Sequence, residues 1–226
     1  MRGRITVRHF CGSPVEIGAG RVRAAALLVV VFSIIGCTAK RLVLVPAPNA
    51  TLAARPNSAE GSSQGVSVLL QADAWDGYPR TLDRNLIPIK VTIQNSSEHD
   101  VALRYEDFVL IASGDRRYSD IPPDQIRGFG REALQPYWAY SEAEKHVEVQ
   151  QLPTESMLKQ AMSEGVVARG THTSGFLYFP RPSKLPNEID FGVILVDAHT
   201  KQRFADIVIP LVLKVLPRSA DTYSPL

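Results

Sequence analysis

The chain has 226 residues, 25 of them Lys or Arg and 23 Asp or Glu, which gives a formal charge of +2 and a hydrophobic share of 45%. This is ordinary globular composition: 16 Pro and 15 Gly are too few for a fibrous or low-complexity chain, and the charge is too small for the basic field of a nucleic-acid binder. Two cysteines exclude a disulfide-rich scaffold and paired zinc knuckles.

The first segment carries Arg2, Arg4, Arg8, Arg21 and Arg23 against the single acid Glu16, and leads into the apolar run Ala24 to Ile35. A membrane-spanning helix needs about 20 apolar residues, so a shorter run behind a positive stretch fits the core of an export signal better than a span. Ile34-Ile35-Gly36-Cys37 then closes the run. This tetrad resembles the lipobox of bacterial lipoproteins, in which two aliphatic residues and a small one precede a cysteine that is acylated and becomes residue one. The resemblance implies that residues 1–36 are removed, with Gly36 small enough to let a peptidase approach and the Cys37 thiol taking the lipid. Acyl chains contribute about 0.8 kcal/mol per buried CH₂, and two or more anchor a chain stably to a membrane surface. By the same resemblance Thr38, not being Asp, implies the outer membrane facing the periplasm where a cell has two membranes. Removing five Arg and one Glu from 25 and 23 leaves 20 basic and 22 acidic residues, a formal charge of −2. Cys11 leaves with the leader and Cys37 is consumed by lipid, so no thiol is expected for a disulfide, a zinc site or a nucleophile.

Residues 37–65 are rich in Ala, Pro, Asn, Ser and Gly, and read as a lipid-anchored flexible linker. The exception is Leu42-Val43-Leu44-Val45, for which the alternative is an extra strand paired to the domain edge. Residues 66–216 are long enough for one sizeable core. Short Val, Ile, Leu and aromatic runs bounded by turn residues predict strands over Val66–Ala74, Leu86–Gln94, Val101–Ala112, Gly175–Phe179, Ile189–Val196 and Phe204–Leu213. Within the second run Ile87, Ile89, Val91 and Ile93 alternate with more polar neighbours, the period of a half-buried strand. Asn95 to Asp100 and Asp197 to Lys201 read as turns, the latter joining two well-covered strands in a hairpin.

One segment, near residues 154–164, reads as a helix. Thr154 offers an N-cap, Leu158, Ala161 and Met162 share a face, and Gly165 is a ready stop. Its expected role is to cover an open strand edge. Ser113 to Leu152 reads as one long loop, and residues 217–226 as a tail. The fold class expected is therefore all-β with one short helix. The order of IPIKVTIQNSS, ALRYEDFVL, a Pro-Pro segment, a short helix and SGFLYFP resembles a family of uncharacterised bacterial lipoproteins with an immunoglobulin-like antiparallel β-sandwich. That resemblance implies fold and compartment and carries no activity.

The catalytic inventory is sparse: there is no G-x-S-x-G elbow and no P-loop, and Gly128-Phe129-Gly130 holds only G-x-G. No catalytic residue, metal site, cofactor or nucleic-acid partner is expected. His99, His146, His172 and His199 are isolated in sequence; His99 and His199 sit in turns and read as solvated. Asp76 and His172 with nearby Glu residues are the alternative for an enzyme whose site is built across loops. The candidate contacts are aromatic: Trp75 and Tyr78 around Asp76-Gly77, and Tyr137, Trp138 and Tyr140 in the long loop. Such rings stack on sugars or anchor a protein partner, and they equally plug the ends of a core. Tyr178 reads as a strand residue whose hydroxyl reaches the rim. The function expected is a non-enzymatic, lipid-anchored envelope protein that binds or scaffolds an unidentified envelope partner, with a glycan-binding module as the alternative and a loop-built hydrolytic enzyme behind it.

Overall fold

The computed structural model describes residues 40–133, 147–182 and 186–217. Among the described residues, thirteen strands and one α-helix follow in chain order: β1 (Lys40–Pro46), β2 (Ser58–Ser63), β3 (Val66–Gln71), β4 (Leu86–Asn95), β5 (Val101–Leu103), β6 (Phe108–Ala112), β7 (Arg116–Ser119), β8 (Gly128–Ala133), β9 (Val147–Leu152), α1 (Glu155–Gln160), β10 (Gly165–Val167), β11 (His172–Pro180), β12 (Glu188–Asp197) and β13 (Arg203–Pro217). They form a seven-stranded antiparallel sheet with β13 and β12 at its centre, a four-stranded antiparallel sheet in the order β11-β4-β3-β2, and the separate hairpin β8–β9.

The two larger sheets pack face to face around one core. Ile89, Val91 and Ile93 of β4, Val68 and Leu70 of β3, and Leu177 and Phe179 of β11 meet Phe108, Leu110, Phe191, Ile207 and Ile209 of the other sheet. The alternation expected for Ile87 to Ile93 is present, with the intervening Pro88, Lys90 and Thr92 only half-buried. At Gly61 a Cβ would lie 2.6 Å from Ile207 Cγ2, so β2 approaches β13 more closely than a side chain allows.

Several expected boundaries are corrected. The run Val101–Ala112 is not one strand. Arg104 holds the buried Asp107 carboxylate through two hydrogen bonds of 2.9 and 2.8 Å, and a 3₁₀ turn at Tyr105–Asp107 separates β5 from β6. Both halves then pair with β12, which shifts register between Leu195 and Val196. The segment read as a linker supplies β1, paired over Lys40↔Pro217 to Pro46↔Leu211, and β2, paired with β3. Leu44, Val45 and Ala59 are buried there, so these strands hold apolar surface that a solvated tether would expose. The expected loop from Ser113 to Leu152 contains β7, a 3₁₀ turn at Pro123–Gln125, and β8–β9. The helix is shorter than 154–164. Thr154 Oγ1 accepts from the Met157 amide at 3.3 Å as an N-cap, but Ala161 and Met162 leave the helix to pair with Phe176.

Candidate binding site

Trp75 and Tyr78 lie in the connection from β3 to β4, and the connection is fastened to α1. Thr154 Oγ1 donates to the Tyr78 carbonyl at 2.6 Å, and the Tyr78 amide donates to Ser156 Oγ at 3.2 Å. Trp75 stands edge-on to Phe176 and Tyr178, with centroid distances of 5.1 and 6.0 Å, and its Nε1–H donates to the Pro79 carbonyl at 2.9 Å. These rings join Leu82, Leu86, Ile126, Leu152 and Met157 in a second core on the outer face of β11. Trp75 is therefore half-buried, packing on this second core with part of its ring left open. Tyr178 is fully buried and its hydroxyl donates to the Met157 carbonyl at 2.9 Å, which corrects its expected place at the rim.

Beside Trp75 a groove opens where β3 ends at the Gln71↔Lys90 pair and leaves Leu86–Ile89 without a β3 partner. Its walls include Val43, Leu44, Ala72, Arg80 and Arg181, and its cavity volume is about 40 Å³. That admits two or three waters and is far smaller than the hundreds of Å³ of a small-molecule site. The more open aromatic is Phe129 on β8, which is 65% exposed.

At the other end of the sheets, two turns face one another. His99 Nδ1 lies 2.7 Å from Asp197 Oδ2, and His199 Nε2 lies 3.0 Å from Asp100 Oδ2. Each turn thus lends the other one imidazole and one carboxylate. Asp197 is held well below the usual carboxylate range, first by the Thr200 amide and then by His99 and the His199 amide. Asp100 is lowered by the Arg169 amide and by His199. His99 also lies against Phe204 with centroids 4.9 Å apart. Both imidazoles are largely exposed, whereas Asp197 is buried and Asp100 half-buried, so the arrangement suits latching two turns better than acid–base work. His99 and His199 are hence not free solvated side chains. The signal for them was present as His99-Asp100 in one turn and Asp197-Ala198-His199 in the other, but it is legible only when both turns share an end.

A third cluster surrounds Asp120. Its Oδ1 accepts from the Tyr178 amide at 2.5 Å, while Oδ2 is buried without a partner among the described residues. Burial pushes its carboxyl up to about 8. The neighbouring Tyr178 and Tyr105 hydroxyls are raised as well, by burial first. Both phenols are committed to main-chain carbonyls, Tyr105 to Met162 at 2.6 Å, so the cluster is a seam and not an open site.

The residues considered for an enzyme are dispersed. Asp76 follows Trp75, which contacts Phe176 and Tyr178, whereas His172 begins β11 four residues before Phe176, about 13 Å along the strand. Among the described residues no group of three or more His, Cys, Asp or Glu side chains converges on a metal position, and no helix is long and apolar enough to cross a membrane. Ile34, Ile35, Gly36, Cys37, Tyr137, Trp138, Tyr140 and His146 lie outside the described residues. Compared with protein-family models, curated proteins and solved structures, the chain matches none.

Proposed function

We propose that the chain is a lipid-anchored protein of the bacterial cell envelope that binds or scaffolds a partner and performs no catalysis of its own. The observation that carries this reading is the position of Ile34-Ile35-Gly36-Cys37. It stands behind an arginine-rich stretch and a twelve-residue apolar run, and it ends three residues before the first strand of a folded β domain. The domain is proposed to be immunoglobulin-like, supported by two antiparallel sheets sharing one core. Thr38 after the cysteine favours the outer membrane facing the periplasm in a cell with two membranes. Metabolic labelling with palmitate tests the anchor. The wild type incorporates label and fractionates with membranes, and Cys37→Ser loses both; retention of Cys37→Ser in the membrane fraction refutes it.

A protein partner is the first expectation, and a glycan is the second. The glycan reading is supported by Phe129, which stands exposed on β8. Aromatic faces of this kind stack on sugar rings. Pull-down on purified peptidoglycan separates the two: retention that drops to background in Trp138→Ala supports the glycan, and no retention of the wild type supports a protein partner.

A further inference from the structure

An antiparallel strand with one solvated face alternates apolar and polar residues, but β12 and β13 carry apolar residues on both faces. Ile189, Phe191, Val193, Ile207 and Ile209 point into the core and are at most 3% exposed. The residues between them turn outward. Gly192 stands in register with Val109 and Val208, and Asp190 with Ile111 and Pro210. Val208 is 57% exposed, and Val109, Ile111, Ile194 and Pro210 are half-buried. At Gly192 a Cβ would lie 3.1 Å from Val109 Cγ1 and 3.4 Å from Ile111 Cδ1, so both β6 side chains lean across β12 and form a low apolar ridge. A contiguous apolar face of this kind marks an interaction surface.

The charges flanking the ridge differ in sign from one side to the other. Ile111 stands between Arg117 of β7 and Asp190 of β12 in one cross-strand row. Arg116 adjoins Arg117, and Glu188 lies two residues before Asp190 on the same face of β12, so β6 has a basic margin on one side and an acidic margin on the other. The two margins are two strand spacings apart, about 10 Å. Among the described residues none of these four charges has an ion-pair partner. A face that is basic and acidic on opposite sides of an apolar line is complementary to itself.

We propose that the outer face of β7-β6-β12 pairs with the same face of a second copy of this chain, about a two-fold axis running along β6. Ile111 of one copy then meets Ile111 of the other, and Arg117 of each copy faces Asp190 of the other, so the charge pair is made twice. Because the axis follows the strands, β1 begins at the same end in both copies, an arrangement open to two chains standing on one membrane. The pairing itself needs no lipid and is expected between Cys37→Ser copies as well.

The test uses the full chain, co-expressed as two copies with different affinity tags and solubilised in a nonionic detergent; one tag is captured and the other is probed. Wild-type copies are expected to capture one another. Asp190→Arg sets an arginine against Arg117 of the second copy, and Arg117→Asp sets two acids together, so each variant is expected to capture itself about tenfold less or weaker still. A copy with Asp190→Arg and a copy with Arg117→Asp restore both charge pairs and are expected to capture each other at the wild-type level. That rescue separates a lost interface from a lost fold. Wild-type copies that do not capture one another overturn the proposal. Capture that survives both reversals, or that the complementary pair fails to restore, assigns the association to another surface and overturns it equally.

Discussion

Asn95 has no exposed surface and uses all four of its hydrogen-bonding positions. Its Nδ2 donates to the His99 and Val167 carbonyls at 2.7 and 2.8 Å, and its Oδ1 accepts from the Ser97 amide and hydroxyl at 3.0 and 2.6 Å. One side chain therefore ties the turn after β4 to β10. Asn95→Ala removes four hydrogen bonds, while the Ser97 hydroxyl and the His99 carbonyl keep each other, and it is expected to lower stability by about 1–3 kcal/mol for each buried group left without a partner, measured by urea unfolding. Asp120 acts in the opposite sense. Its folded carboxyl is raised to about 8, so the folded chain keeps a proton that the unfolded chain releases above about pH 4. Stability consequently falls as pH rises between those values, by about 1.4 kcal/mol per pH unit for this group. Asp120→Asn should remove that slope and gain on the wild type toward pH 8; parallel slopes in the two proteins would refute the assignment. Below about pH 4 the trend reverses. Asp100 and Asp197 are lowered in the folded state, so their contribution is complete above the unfolded carboxylate range and is lost as acid protonates them.

At the scale of elements, β11 shows how an exposed edge is closed. It is the outermost strand of its sheet, and the Met162 amide donates to the Phe176 carbonyl at 2.9 Å while the Ile121 amide donates to the Tyr178 carbonyl at 2.9 Å. The covering chain comes so near that a Cβ on Gly175 would lie 2.4 Å from the Met162 Cα. Backbone cannot yield as a side-chain tip does, so Gly175→Ala is expected to destabilise by several kcal/mol or to free residues 161–162 from the edge, visible as faster amide exchange at Met162. The strand itself was legible in SGFLYFP, and so was the idea that the helical segment guards an edge. The extended exit at Ala161 was not, because the helical spacing of Leu158, Ala161 and Met162 is the same whether Met162 packs on a helix face or beside a strand. Likewise Asp107 carries no local mark of burial in sequence; its pairing with Arg104 depends on β5 and β6 both meeting β12.

For the molecule as a whole, the boundary of the folded unit is the finding with most consequence. β1 and β2 belong to the same compact unit as the later strands. Deleting residues 40–64 removes buried Leu44, Val45 and Ala59, strips cover from Ile207 and Ile209 and is expected to unfold the domain, since domains are stable by only roughly 5–15 kcal/mol. Deleting residues 1–39 should leave the melting temperature unchanged. Circular dichroism melts of the two truncations check this, and a cooperative native-like melt after loss of β1 and β2 would overturn it. The alternating and continuous apolar runs of β4, β12 and β13 determined by themselves that this is a β protein with a central hairpin, because a period of two and its turn residues are local properties. The resemblance of Ile34-Ile35-Gly36-Cys37 to a lipobox is equally local. What tertiary structure alone decided is where non-local partners meet. A polar, proline-rich stretch becomes two strands because β13 and β3 offer it unpaired edges. Trp75 packs against a second core because β11 turns two aromatics outward, and the two histidine turns become one latch because the sheets bring them to the same end.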